Sequence, residues 1–242
     1  MSRMSRLVVA CAGGFGREVA AYARDAGFDV DGFLHDLDAY PGSLDGVELG
    51  APVLGRTDEY QPRDGELIAI GLGDIAPRRA LAEELIARGA RLATVVHPTA
   101  WVAPSAGLGE GVVIGPFAFV GPDTIVGDLS ILNTYASIGH DTVVGSCCVL
   151  APYAVANGRV TLEDDVFLAT HATVTPRRRV GAGTAVSAGS VVFQDVPAGS
   201  LVSGNPARPR GLPPTPGRSA QPLRVAAESP AKASLEPNPP AR

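Results

Sequence analysis

Residues Ile114–Gly127 read Ile-Gly-Pro-Phe-Ala-Phe-Val-Gly-Pro-Asp-Thr-Ile-Val-Gly. An aliphatic residue recurs every six positions, a glycine follows it, and a small residue comes four places after it. Extended in both directions, the rule holds from Val102 to Val192: sixteen of sixteen sixth positions are apolar, and Ala156 alone is not Val, Ile or Leu. At the chain's apolar frequency of 45%, chance gives that result about three times in a million per register. Glycine follows the aliphatic at 109, 115, 121, 127, 139, 145 and 181. The small position holds Ala106, Ala118, Ser130, Ala136, Thr142, Cys148, Ala154 and Ala172. No insertion interrupts the count. A repeat this short cannot bury its apolar side chain alone, so the segment reads as a solenoid with one aliphatic column per face.

This pattern resembles the hexapeptide-repeat proteins, whose fold is a left-handed parallel β-helix of triangular section. The resemblance implies three hexapeptides per coil, with residues eighteen apart stacked about one strand spacing (~4.8 Å) from each other. Sixteen repeats then give a little over five coils. Each inward aliphatic contributes roughly 1.5–3 kcal/mol, so the coil does not depend on aromatics. Its ends need covering, by the N-terminal domain at one and Asp195–Arg210 at the other.

Upstream the period differs. Leu7–Ala12 is an apolar run ending in Gly13-Gly14-Phe15-Gly16, and Arg17–Ala26 reads as a helix with Val19, Tyr22 and Ala23 on one face. Phe28–Leu34 is a strand ending at His35-Asp36, Leu67–Ile70 a third strand, Pro77–Arg88 a helix, and Leu92–Val96 a fourth strand. Tyr40–Asp64 yields no element. Strands alternating with helices give an α/β domain, residues 1–96, with a small Rossmann-like parallel sheet and ligands at the strand C-termini. The β-helix follows over 97–210. From Gly211 to Arg242 the chain is Pro, Ala and Ser without period and reads as a disordered tail.

Lys and Arg number 20 against 25 Asp and Glu, a net charge of −5; a nucleic-acid partner would call for a basic surplus. No run of eighteen apolar residues lacks Gly or Pro, which excludes a membrane-spanning helix. Three cysteines, two of them adjacent, form no disulfide framework and suit a reducing compartment. The apolar stretch before Cys11 is too short for a signal peptide. A cytoplasmic protein is expected.

Two residues past each inward aliphatic lies a column without large apolar side chains, hence an exposed corner, and His140 stands in it. Asp141 can orient the imidazole, and Gly158, eighteen residues on, brings a bare backbone N–H beside it. A base next to such a donor suits acyl transfer with an oxyanion to stabilise. Gly13, Gly14 and Gly16 match a dinucleotide loop only in part, and a structural turn is the alternative; Asp36 could take a ribose hydroxyl. His35 could equally be a solvated loop residue. His97 reads as structural, His171 as surface, and Cys147-Cys148 as packing. Arg177-Arg178-Arg179 puts Arg178 in the small column, so either the coil bulges there or the arginines meet a phosphate.

The segment Ile138-Gly139-His140-Asp141-Thr142-Val143-Val144-Gly145 looks like the catalytic segment of the nucleotide-sugar and sialic-acid acetyltransferases, the PglD/NeuD-type family. Gly13-Gly14-Phe15-Gly16-Arg17-Glu18-Val19 resembles their glycine loop. Ala69-Ile70-Gly71, with Arg78 and Arg79 downstream, resembles their second sugar-nucleotide contact, and Gly204-Asn205-Pro206-Ala207-Arg208 the close of the helix. The resemblance implies His140 as the base that deprotonates a sugar amine or hydroxyl, Asp141 as its support and the Gly158 amide at the oxyanion. It places the sugar nucleotide at Gly13, Gly14, Phe15, His35, Asp36 and Gly71. Acetyl-CoA is expected at Val149, Thr170 and Ala188, between subunits of a homotrimer; Val149 stands where some members carry histidine. N-acetylation of a nucleotide-linked 4-amino sugar leads, with sialic acid O-acetylation or a non-catalytic sugar-nucleotide binder as alternatives. A metal enzyme of the γ-carbonic anhydrase type would need three histidines, whereas the coil has only His140 and His171, so no metal is expected.

Overall fold

The computed structural model describes residues 6–36 and 44–210. The tail from Gly211, expected to be disordered, lies outside them. Five parallel strands come first: β1 Arg6–Ala10, β2 Asp29–Leu34, β3 Val53–Gly55, β4 Leu67–Ile70 and β5 Arg91–Leu92. They lie in the order β3-β2-β1-β4-β5, with helix α1, Gly14–Asp25, after β1 and α2, Ile75–Ala87, after β4. Leu7 and Val9 pack with Val19, Ala20 and Ala23 of α1, whereas Val8 and Ala10 pack with Leu81, Ala82 and Leu85 of α2. Alternate residues of β1 thus serve opposite helices, and both faces are covered, as a parallel sheet requires. Both helices begin before their apolar faces do, at extended Gly13 and Asp74. At three residues, β3 is too short to carry a readable period.

The expected fourth strand, Leu92–Val96, divides in two. Arg91–Leu92 pairs with β4, whereas Val95–Val96 pairs with Val113–Ile114 and opens the coil. Between them Thr94 donates its hydroxyl to the Gly109 carbonyl at 2.7 Å and ties the chain to the coil.

From there two-residue strands recur every six residues, each in register with the one eighteen on: Val120 with Ile138, Val126 with Val144, Leu132 with Leu150. Three ladders of six, five and eight strands result, with the aliphatic column between them. Hydroxyls in the small column find carbonyls: Ser130 donates to Gly145 at 2.8 Å and Thr142 to Asn157 at 2.9 Å. Each corner turns on a residue of positive φ, from Phe117 and Asp123 through Asp141 to Arg177, at 54–65°. Leu201–Ser203 extends the eight-strand ladder, Arg208–Pro209 turns back on it, and Val202 with Ala207 closes the core.

The N-terminal sheet packs against a flank of the coil, where a cover for its end was expected. Its two apolar clusters take in Val95, Val113, Leu129 and Cys147. Arg78, 0% exposed, fastens the parts together. Its guanidinium donates to Ile70 (2.6 Å) and Leu72 (3.1 Å) in the sheet domain and to Leu129 (2.7 Å) and Gly111 (2.8 Å) in the coil. Burial without a carboxylate lowers it to about 10. Arg79 bonds Asp165 at 2.7 Å across the same junction. Both arginines downstream of Gly71 are thus engaged at this junction. Among the described residues no helix is long and apolar enough to cross a membrane.

Candidate active site

The coil has three corners. Pro122, His140, Gly158 and Arg177 are linked rung to rung along the first: Asp141 N–H donates to Pro122, Arg159 to His140 and Arg177 to Gly158. The column itself runs Pro104, Pro122, His140, Gly158, Pro176, and proline has no N–H. Between Pro104 and Pro176 only His140 and Gly158 therefore present amides there. On the second corner the N–H groups of Glu110 and Ser146 are each taken at 2.8 Å by the carboxylates of Asp128 and Asp164. Among the described residues nothing accepts from Gly158 N–H. It remains open beside the histidine.

His140 Nδ1 lies 2.6 Å from Asp141 Oδ2. A carboxylate only accepts, so Nδ1 carries the proton and Nε2 the lone pair. A methyl group placed on Gly158 would sit 2.6 Å from that Nε2, so glycine gives the ring its room. Asp141 is held below the usual carboxylate range, first by the His140 bond and also by Arg159, whose Nε is 3.5 Å from the same oxygen. Arg159 is a residue the sequence reading missed. It lies eighteen after Asp141, the spacing that led from His140 to Gly158.

A second group gathers where β2, β1 and β4 end side by side. After β1, methyl groups on Gly13 or Gly14 would meet nothing within 4 Å, and the first helical bond runs from Arg17 N–H to Gly13. The preceding N–H groups of α1, including that of Phe15, have no helical partner and suit an anion. Gly16 and Gly71 differ: added methyls would lie 1.9 and 2.6 Å from the Cys11 carbonyl oxygen. Their absent side chains let α1 approach the sheet. His35 is 6% exposed, with Nδ1 accepting from Ala12 N–H at 3.4 Å, and burial lowers its pKa. The solvated-loop reading of His35 therefore fails. Asp36 accepts from Thr57 N–H at 2.9 Å and from its hydroxyl at 2.5 Å, fixing the turn after β3.

On the third corner Thr170 and Ala188 are exposed one rung apart, joined by Gly189 N–H on the Thr170 carbonyl at 3.0 Å. Beside them Phe117, Tyr135, Tyr153 and His171 stack at 4.8–5.0 Å. Val149, by contrast, is 6% exposed in a strand between Ile131 and Phe167, off the corners and closed to a ligand in one chain. The arginine run makes no bulge: Thr161 N–H bonds the Arg178 carbonyl at 2.9 Å, and Arg179 pairs in register with Thr161 and ion-pairs with Glu163. Cys148 donates to the Glu163 carbonyl at 3.0 Å and is pushed up to about 12 by burial, so it packs. His97 sits edge-on to Tyr22 and 3.1 Å from Asp25.

Contacts from the N-terminal domain to the coil reach Gly111, Leu129 and Asp165 at the second corner and Thr134 at the third. Among the described residues no hydrogen bond from that domain reaches the His140 corner. The glycine loop and the imidazole thus belong to different sides of one chain.

Residues 6–85 match the family described as the PglD N-terminal domain. Perosamine N-acetyltransferase from Caulobacter crescentus, solved with CoA and GDP-perosamine, is 30% identical over 86% of this chain and 98% of its own, with a TM-score of 0.78. The chain belongs to the PglD/NeuD-type hexapeptide-repeat acetyltransferases. The acetyltransferase domain of PglB from Neisseria gonorrhoeae, solved with acetyl coenzyme A, is 32% identical over 86% of this chain and all of that domain, at a TM-score of 0.77. Another relative, the 2,3,4,5-tetrahydropyridine-2,6-dicarboxylate N-acetyltransferase of Staphylococcus aureus, is 49% identical over 49 residues, and the match spans 20% of its length. Membership in this family accounts for a sheet domain and a coil in one acetyltransferase chain.

Proposed function

We propose that the protein transfers the acetyl group of acetyl-CoA to the amino group of a nucleotide-linked amino-deoxy sugar, with His140 as general base. One arrangement carries this reading: an imidazole with Nδ1 bound to a carboxylate, and its Nε2 beside the open Gly158 amide. The solved relatives that bind CoA with GDP-perosamine, or acetyl coenzyme A, supply the substrate classes. Nε2 takes a proton from the sugar nitrogen as that nitrogen attacks the thioester carbon. The carbonyl oxygen becomes an oxyanion facing Gly158 N–H. As the intermediate collapses the C–S bond breaks, and the imidazolium returns its proton to the departing thiolate.

The open start of α1 at Gly13, Gly14 and Phe15 is the place for the pyrophosphate, with Asp36 and His35 flanking it at the end of β2. Thr170 and Ala188 are the exposed candidates for acetyl-CoA. They lie on a different corner from His140, so a site uniting them with the imidazole and the glycine loop calls for neighbouring copies. A homotrimer meets that need.

His140→Ala tests the mechanism. General-base catalysis is worth about 10²–10⁴-fold, so kcat should fall by that factor while both KM values hold. Light scattering on the same material should give three chains. Near wild-type turnover by the folded variant would end the mechanism, and a monomeric active enzyme would end the trimer.

A further inference from the structure

We propose that Arg159 is a positioning residue that acts through Asp141, holding its carboxylate on His140 and offsetting part of the charge it lends to the imidazole. The inference rests on the reading of His140 as the base. Arg159 engages the pair at two points. Its backbone N–H donates to the His140 carbonyl at 2.9 Å, and its Nε stands 3.5 Å from Asp141 Oδ2, the oxygen that receives His140 Nδ1. The preceding residue, Gly158, backs the imidazole itself. The dipeptide Gly158-Arg159 therefore borders the ring, the backbone and the carboxylate of the rung below it.

Asp141 needs such an anchor. It sits at φ 55° on a corner, and its side chain is half exposed, so neither packing nor a buried hydrogen bond fixes its rotamer. Among the described residues no carboxylate other than that of Asp141 forms an ion pair with Arg159. The charged groups acting on Asp141 are His140 and Arg159, with Asp123 one rung below and Arg177 two rungs above in the same column. A guanidinium at that oxygen competes with an imidazolium for the same negative charge. Without it the whole charge of Asp141 would act on the imidazole.

The test is a double-mutant cycle on the full-length enzyme, with acetyl-CoA and an accepted amino-sugar nucleotide. Arg159→Gln should lower kcat about two- to fivefold, the range of an exposed ion pair, and move the acidic limb of the kcat/KM profile to higher pH. Arg159→Lys, which keeps the charge, should leave the limb in place. In an Asp141→Asn background Arg159→Gln should change neither quantity, because its effect runs through the carboxylate. Equal losses in both backgrounds would overturn the proposal, as would a change confined to KM, which would make Arg159 a substrate contact. His140→Ala separates the two readings. If it abolishes turnover while the cycle is additive, Arg159 loses its role and the base keeps its own; if it spares turnover, the base itself is misassigned.

Discussion

In the N-terminal sheet each important contact is made once, whereas in the coil nearly every contact is made again one rung higher. Gly16 and Gly71 both clear the Cys11 carbonyl, Gly71 that of Ala10 as well, and one guanidinium, Arg78, joins four carbonyls of two domains. In the coil, methyls added to Gly121, Gly127, Gly139 and Gly145 would each meet the backbone of the next rung at 2.5–2.8 Å, and the buried aliphatics repeat alike. Redundancy of this kind spreads stability evenly over the solenoid. It also makes any departure from the repeat conspicuous, and His140 and Gly158, where we place the chemistry, are departures on the first corner, set among prolines.

If that contrast holds, the largest effect of a single substitution on stability should come from the unrepeated junction. Arg78→Ala should cost about 4 kcal/mol or more, since it strips the donor from four carbonyls and unpaired buried acceptors cost about 1–3 kcal/mol each, and it should split urea unfolding into separate transitions for sheet and coil. One transition at the wild-type midpoint would mean that the domains do not depend on the clamp. Next comes Gly158→Ala. Its methyl meets only the end of a movable side chain, so melting should be unchanged while kcat falls about 10- to 100-fold through misplacement of the base. Unaltered turnover would break the link between that glycine and the imidazole.

The smallest pair sharpens the glycine loop. Gly16→Ala forces its methyl against backbone and should destabilise by about 1–3 kcal/mol. Gly14→Ala points into open space and should leave stability alone while raising KM for the sugar nucleotide and not for acetyl-CoA. The reverse pattern would move the nucleotide away from the start of α1.

The coil was legible because one physical requirement, an aliphatic turned inward every sixth residue, is written sixteen times. The corner with His140 followed from the same count. What escaped the sequence had partners with no signature. Arg78 binds carbonyls, which every residue carries, so nothing in the sequence separates it from a ligand-binding arginine. Val95–Val96 reads as strand in either domain, and only its pairing with Val113–Ile114 assigns it. Likewise, His35 is buried by a fold-level contact, Ala12 N–H on Nδ1, across β1 and β2. The stacked rings from Phe117 to His171 and the Asp141–Arg159 pair were within reach, since both recur at eighteen.

The register of the coil has the logic of a reading frame. Adding or removing eighteen residues away from the His140–Gly158 step would preserve both the buried column and the chemistry of that corner, because every remaining residue would keep its own corner. A shift of six would leave the core intact, since one aliphatic replaces another, but it would translate the corners into one another. Were six residues lost between His140 and Gly158, the place above the imidazole would pass to Asp164, and a carboxylate would stand where the proposed mechanism sets the oxyanion. Such a protein would fold as a sound solenoid with a scrambled message, which makes length in multiples of eighteen the unit in which this architecture can vary without losing its meaning.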